Sequence, residues 1–157
     1  MRGGFSTVFH DLTDIYDKIY RYCFYKVRDS VAAEDITQET FLKFFRQQPE
    51  IRRGKDMAYL YTIAKNLCID HFRQKQALEL TDDYPMEEFA EQSTLKLAVR
   101  SALEKLDERQ REIIVLRYIG GLSVNETAAT AEISRFAVYR LEKAALNELK
   151  KHLKGVL

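Results

Sequence analysis

The chain has 157 residues, of which 46% are hydrophobic and 31% charged, and its formal net charge is +1. That length holds one ordinary domain or two small ones. No apolar run reaches the roughly 20 residues of a membrane span, and the N-terminus lacks a charged-then-apolar leader, so the expectation is a cytoplasmic protein without membrane insertion.

Only two prolines and six glycines interrupt the chain, which leaves long stretches free to be helical. From Phe5 to Arg28, Phe9, Leu12, Ile15, Ile19, Tyr22, Cys23 and Val27 recur every three or four residues, the pattern of an amphipathic helix. Asp29-Ser30 breaks it, and Ser30 is the expected N-cap of a second helix, Val31 to Gln47. Its apolar positions are Val31, Ile36, Thr40, Phe41, Phe44 and Phe45, and Pro49 stops it. A short loop follows with Arg52, Arg53 and Lys55 around Gly54, which suits either phosphate contact or plain solvation.

The run Met57 to Gln76 divides sharply on a helical wheel, and the helix is expected to extend to about Leu80. Met57, Leu60, Tyr61, Ala64, Leu67, Cys68 and Phe72 share a face built for burial. Tyr59, Thr62, Asn66, Asp70 and Arg73 form a narrow stripe opposite. A ring, an amide and a guanidinium in line suit unpaired nucleic acid, since rings stack on bases and Arg pairs with phosphate. The alternative is a solvated face with a local Asp70–Arg73 pair.

Residues Ala77 to Leu95 carry Glu79, Asp82, Asp83, Glu87, Glu88 and Glu91 with no Lys or Arg. This composition predicts a flexible acidic tether between two more basic modules. In the second module Leu95, Val99, Leu103 and Leu106 mark one apolar stripe. Asp107 is placed to cap a helix with Ile113, Ile114 and Leu116 facing inward, and Gly120-Gly121 ends it. Ser123 with Glu126 forms a capping box for a short helix, and Ser134 caps a last one running from Arg135 to about Lys154.

Two short helices joined by a tight turn, the second longer and basic, describe a helix-turn-helix. On the last helix Val138, Leu141, Ala145 and Leu149 point one way, while Phe136, Tyr139, Arg140 and Lys143 point the other, with Arg135 at the edge. In such a motif the first residues of the second helix meet base edges in the major groove. The competing reading is a helical hairpin with a solvated basic face.

The segments AAEDITQETFLKFFRQ and AYLYTIAKNLCIDHFRQK resemble region 2 of bacterial sigma-70 family RNA polymerase sigma factors. The segment ALEKLDERQREIIVLRYIGGLSVNETAATAEISRFAVYRLEKAAL resembles region 4. With no intervening region 3, the plan resembles the extracytoplasmic function (ECF) group. The resemblance implies an all-α protein of two small domains, region 2 over residues 1–78 and region 4 over 95–157, joined by an acidic linker at 79–94.

It further implies that Asp35, Gln38, Glu39, Thr40 and Phe41 dock on the β′ clamp helices of core polymerase. Arg52, Arg53, Lys55, Tyr59, Thr62, Asn66 and Arg73 would hold the unpaired −10 strand. Arg135, Phe136, Tyr139, Arg140 and Lys143 would read the −35 duplex. Arg109, Arg111 and Arg117 fall in the segment that touches phosphates and docks on the β flap. An anti-sigma factor is a typical partner of the group.

Three positions depart from the family pattern. Tyr59 stands where Trp is frequent, Glu132 where the turn usually has Gly, and the last helix begins SRFAVYR rather than with the common Gly-Thr-Val-Lys.

No nucleophile, base and orienter combination stands out, so an enzyme is not expected, nor a cofactor. His10, His71 and His152 lack ligand spacing, and Cys23 and Cys68, far apart in sequence and each on an apolar helix face, read as buried free thiols rather than as metal ligands or a disulfide. A stand-alone helix-turn-helix regulator would need a dimer seam, and none is visible. A decoy that binds core but no promoter would lack base-reading side chains, against which Asn66, Arg135 and Arg140 argue.

Overall fold

The structure is a computed structural model that describes residues 12–47, 56–78 and 94–155. Seven α-helices run through them: α1 Leu12–Val27, α2 Ser30–Gln47, α3 Asp56–Leu78, α4 Thr94–Glu104, α5 Glu108–Ile114, α6 Val124–Ala131 and α7 Arg135–His152. A π-helical segment, Val115–Ile119, continues α5. Helices α1–α3 and helices α4–α7 form two separate compact units. The start of the predicted first helix, the loop with Arg52, Arg53 and Lys55, and nearly all of the acidic segment lie outside the described residues.

The first unit is a three-helix bundle in which each helix packs on the other two. Ile15, Ile19, Tyr22, Cys23 and Val27 of α1 meet Ala33, Ile36, Phe41 and Phe44 of α2 and Leu60, Tyr61, Ala64 and Cys68 of α3 in one core. Tyr22 and Tyr61 meet edge to face with ring centroids 5.2 Å apart, the favoured aromatic geometry. Two hydroxyls are buried at no hydrogen-bonding loss: Thr37 donates to the Ala33 carbonyl at 2.6 Å and Thr40 to the Ile36 carbonyl at 2.7 Å.

The α1–α2 corner differs from expectation. The N-cap of α2 is Asp29, whose carboxylate accepts from the backbone amides of Val31 at 2.9 Å and Ala32 at 3.2 Å. Ser30 already belongs to the helix. A carboxylate one residue earlier satisfies two of the orphan first-turn amides, the part expected of the Ser30 hydroxyl. Val31 is consequently on the first turn and 68% exposed; burial begins at Ala33.

The two cysteines are buried free thiols, as expected. They are separated by most of the first unit in sequence, yet the Cys68 thiol hydrogen-bonds to Cys23 inside the core, and that bond holds the Cys23 thiol below its ordinary pKa. Both are unbridged, and the packing of α1 against α3 brings them together in a way that sequence distance does not show.

In the second unit α5 and α7 pack together, with α6 and α4 against α7. Ile113, Ala128 and Val138, one from each of α5, α6 and α7, form the buried centre, with Val124, Ala131, Ile133 and Leu141 around it. The predicted caps are present: Asp107 accepts from Gln110 N–H at 2.8 Å and Ser134 from Ala137 N–H at 3.0 Å. At the capping box, Glu126 N–H donates to Ser123 Oγ at 3.1 Å and Ser123 N–H to Glu126 Oε1 at 2.8 Å.

The apolar stripe of α4 is buried only at its end. Ala102, Leu103 and, just beyond, Leu106 are in the core, whereas Leu95 and Val99 are exposed. Helical periodicity gives no sign of the π-helical segment either. Gly120 N–H bonds to the Val115 carbonyl at 2.8 Å and Leu122 N–H to Leu116 at 3.0 Å, and Gly121 takes the left-handed conformation, φ +72°, that lets the chain turn into α6.

Candidate nucleic-acid interface

Helix α6, the turn Glu132–Ser134 and α7 form a helix-turn-helix whose geometry is set locally. Glu132 closes α6 in the left-handed region (φ 58°, ψ 44°), and Ile133 N–H reaches back to the Ala128 carbonyl at 3.0 Å. A glycine would adopt that conformation freely; a glutamate sits there against its intrinsic preference. The Ser134 cap then starts α7, so its first turn has a defined orientation.

The inward side of α7 is buried at Val138 and Ala145 and half-buried at Leu141 and Leu149. The outward side presents Arg135, Phe136, Tyr139, Arg140 and Lys143, all exposed, with Phe136 77% and Tyr139 57% accessible. None of these five side chains is held by a hydrogen bond or ion pair among the described residues. Glu142, the acidic residue within this stretch, is turned inward to Arg117, with Nε–Oε1 at 2.9 Å. The outward face is therefore cationic and aromatic without a carboxylate among those five.

Two of the three arginines preceding the motif serve the fold instead. Arg111 donates to three backbone carbonyls: Leu103 at 3.0 Å, Glu104 at 3.2 Å and Leu106 at 2.9 Å. It thereby satisfies the carbonyls exposed where α4 ends. Arg117 bridges Glu142 and the Leu122 carbonyl, the latter at 2.8 Å, which ties the end of the π-helical segment to α7. Arg109 remains exposed.

In the first unit the predicted stripe on α3 is only partly open. Thr62, Asn66 and Arg73 are exposed. Thr62 directs its hydroxyl to the Ala58 carbonyl at 2.8 Å, and Arg73 lies 3.9 Å from Asp70. Tyr59 is not free: its ring sits 6.1 Å from that of Phe44 and its hydroxyl donates to the Gln47 side chain. Ile69 belongs to the same face, 40% exposed between Asn66 and Arg73. Spacings of i, i+4, i+7 and i+11 from Thr62 put it there, so the periodicity carried that signal. Phe72, expected to be buried, is 41% exposed, and Cys68 is the last buried residue of α3.

On α2 the expected partner surface divides. Asp35 and Gln38 are exposed and Glu39 half-exposed. Thr40 and Phe41 are core residues, Phe41 being stacked on Tyr16 with centroids 5.4 Å apart, so they support that face from beneath and do not present side chains on it. Leu42, 50% exposed at i+4 from Gln38, completes the outer side.

Gln38 also has a local task. It donates to Glu34 Oε1 at 3.1 Å, and the Tyr16 hydroxyl donates to the same oxygen at 2.5 Å. The Tyr16 bond, then the Gln38 bond, hold Glu34 below the usual carboxylate range. Burial, followed by the Glu34 carboxylate, pushes Tyr16 up to about 12.

Known proteins carry the same two-part pattern. Residues 12–78 match the Sigma-70 region 2 family and residues 102–151 the Sigma-70, region 4 family. The chain belongs to the ECF group of the sigma-70 family of RNA polymerase sigma factors.

It is 36% identical over 94% of its length to the ECF RNA polymerase sigma factor BldN of Streptomyces coelicolor, of which it spans 61%. With ECF RNA polymerase sigma factor SigX of Bacillus subtilis it shares 30% identity, over 92% of this chain and 83% of that one. In fold it resembles the sigma factor RpoE of Bartonella quintana, solved in complex with the anti-sigma factor NepR. That likeness has a TM-score of 0.68 at 22% identity and covers 96% of this chain and 98% of the other. The family acts in transcription initiation, and no helix among the described residues is long and apolar enough to cross a membrane.

Proposed function

We propose that this sigma factor works in the cytoplasm as a dissociable specificity subunit of RNA polymerase, performing no bond chemistry of its own. In this reading residues 1–78 bind core polymerase and the −10 strand, 79–94 tether the halves, and 95–157 read the −35 duplex. The observation that carries it is the outward face of α7: five cationic and aromatic side chains, unengaged among the described residues, at the start of a capped second helix of a helix-turn-helix. That is the position from which such motifs reach base edges.

The −10 contacts would come from the open part of α3, namely Thr62, Asn66, Ile69 and Arg73, with Arg52, Arg53 and Lys55 on the backbone. Tyr59 serves as a base platform once its ring leaves Phe44 and Gln47. Stacking of one base on a ring contributes about 1–3 kcal/mol, comparable with the few kcal/mol that unstacking costs, so one or two captured bases bias the duplex toward opening. Asp35, Gln38, Glu39 and Leu42 face the β′ clamp helices, and an anti-sigma factor is the expected inhibitor. Linking two weak contacts makes the second intramolecular, which raises apparent affinity without new contacts.

The test is promoter-specific run-off transcription by core polymerase plus this chain on fragments of the source genome. Discrete products that vanish when the chain is omitted support the reading; non-specific initiation alone rejects it. Arg140→Ala should lower −35-dependent initiation and reduce the salt dependence of duplex binding by about one unit of slope, with core binding retained.

A further inference from the structure

The start of α7 leaves in water the residue types that gain most from leaving it. Phe136 and Tyr139 are 77% and 57% exposed, three residues apart and hence on one face. Burying such a side chain is favourable in proportion to its apolar area. The neighbours Arg135, Arg140 and Lys143 are exposed on the same side, and the Ser134 cap defines the direction in which this turn projects. A partner for this face must therefore be anionic overall and yet offer apolar groups at the tip of the helix.

Duplex DNA meets both requirements in one place. A helix end in the major groove meets base edges, not base faces, so ring stacking is not available to it. Among the groups on those edges the apolar one is the C5-methyl of thymine; the remainder are hydrogen-bond donors and acceptors. Phe136 has no polar atom to offer them.

We propose that Phe136 and Tyr139 read the 5-methyl groups of thymines in the upstream promoter element, so that selection of that element is in part selection for methyl groups. Arg135, Arg140 and Lys143 supply phosphate and guanine contacts around them. Three residues of helix advance about 4.5 Å, close to one base step of about 3.4 Å, so the two rings address thymines one or two steps apart, on either strand. This rests on the reading of α7 as the helix that enters the major groove.

The experiment uses the full chain with core polymerase and a pool of promoter duplexes randomised over the upstream hexamer. Enriched duplexes are then remade with deoxyuridine in place of single thymines, which removes one methyl and keeps base pairing. The expected result is enrichment of thymine at two nearby positions. Each replacement there should weaken binding about fourfold, the effect of one methyl group at about 0.8 kcal/mol. Phe136→Ala and Tyr139→Ala, both at exposed positions, should each make binding indifferent to deoxyuridine at one of the two positions.

Enriched elements that lack thymine, or that bind equally well with deoxyuridine, overturn the methyl readout while leaving promoter recognition intact. If the polymerase complex forms but enriches no upstream sequence, the reading of α7 fails and the methyl readout with it.

Discussion

Helices α3 and α7 carry the same kind of stripe, an aromatic ring and a guanidinium on the side away from the core, and the fold treats them differently. On α7 Arg135, Phe136, Tyr139, Arg140 and Lys143 have no hydrogen bond or ion pair among the described residues. On α3 the aromatic member leans on Phe44 and bonds Gln47, both at the end of α2, and Thr62 and Arg73 have local partners. The cause is what lies beside each stripe. The end of α2 comes alongside the start of α3, whereas the described residues leave the outward side of α7 open. A helical wheel identifies the side away from the core; whether that side is open depends on where neighbouring helices end.

The same contrast divides the arginines of the second unit, and there the largest effect is expected. Arg111→Ala removes charge-assisted bonds to three carbonyls at the end of α4 and should destabilise the unit by about 2–4 kcal/mol. Arg109→Ala, on an exposed side chain, should change stability by less than about 0.5 kcal/mol. Urea unfolding followed by far-ultraviolet circular dichroism measures both. Equal effects would break the division between structural and surface arginines.

Next in size is Glu132→Gly. The residue sits at φ 58° in the turn before α7. Relief of that conformation should stabilise the unit by about 1 kcal/mol, or roughly 4–8 °C in its melting temperature, without changing the outward face of α7. A lower melting temperature would mean that the glutamate side chain has a stabilising role.

In the first unit the corresponding effect is one of pH. Unfolded Tyr16 loses its proton near 10.0 and the folded residue at about 12. The stability linked to this group is fully present below pH 10 and declines as pH rises from 10 to 12. Its partner Glu34 is shifted the other way, so that contribution is present above the usual carboxylate range and is lost as the solution is acidified through it. Tyr16→Phe should flatten the alkaline decline, and equilibrium unfolding at several pH values reads it.

The smallest effect should be that of Tyr59→Phe, within about 0.5 kcal/mol, because the lost bond to Gln47 is exposed and the ring keeps its contact with Phe44. Binding of a fluorescent single strand by the polymerase complex should survive this change and fall with Tyr59→Ala. If both variants bind alike, the ring is not the platform.

Much of this architecture was legible beforehand because its signals are local. Asp107, Ser123, Glu126 and Ser134 cap their helices through residues three positions away, and the inward positions of α7 follow from the helical repeat. The Asp29 cap was missed because two adjacent polar residues compete for one role, and the carboxylate prevailed. Family likeness places Thr40 and Phe41 on a partner surface, while Thr40 is buried on the Ile36 carbonyl and Phe41 is stacked on Tyr16.

Periodicity, composition and caps were enough for two all-helical modules and the helix-turn-helix, and the resemblance of whole segments for the family. Those properties rest on interactions within a few residues or on matches along the whole chain. What required the folded chain was which charged and aromatic groups are engaged: Arg111 on carbonyls eight, seven and five residues earlier, Arg117 on Glu142, Tyr59 on the end of α2, and Cys68 against Cys23. Each of these contacts depends on how helices are placed against one another, and helical repeat constrains the face of a residue without naming the partner it meets.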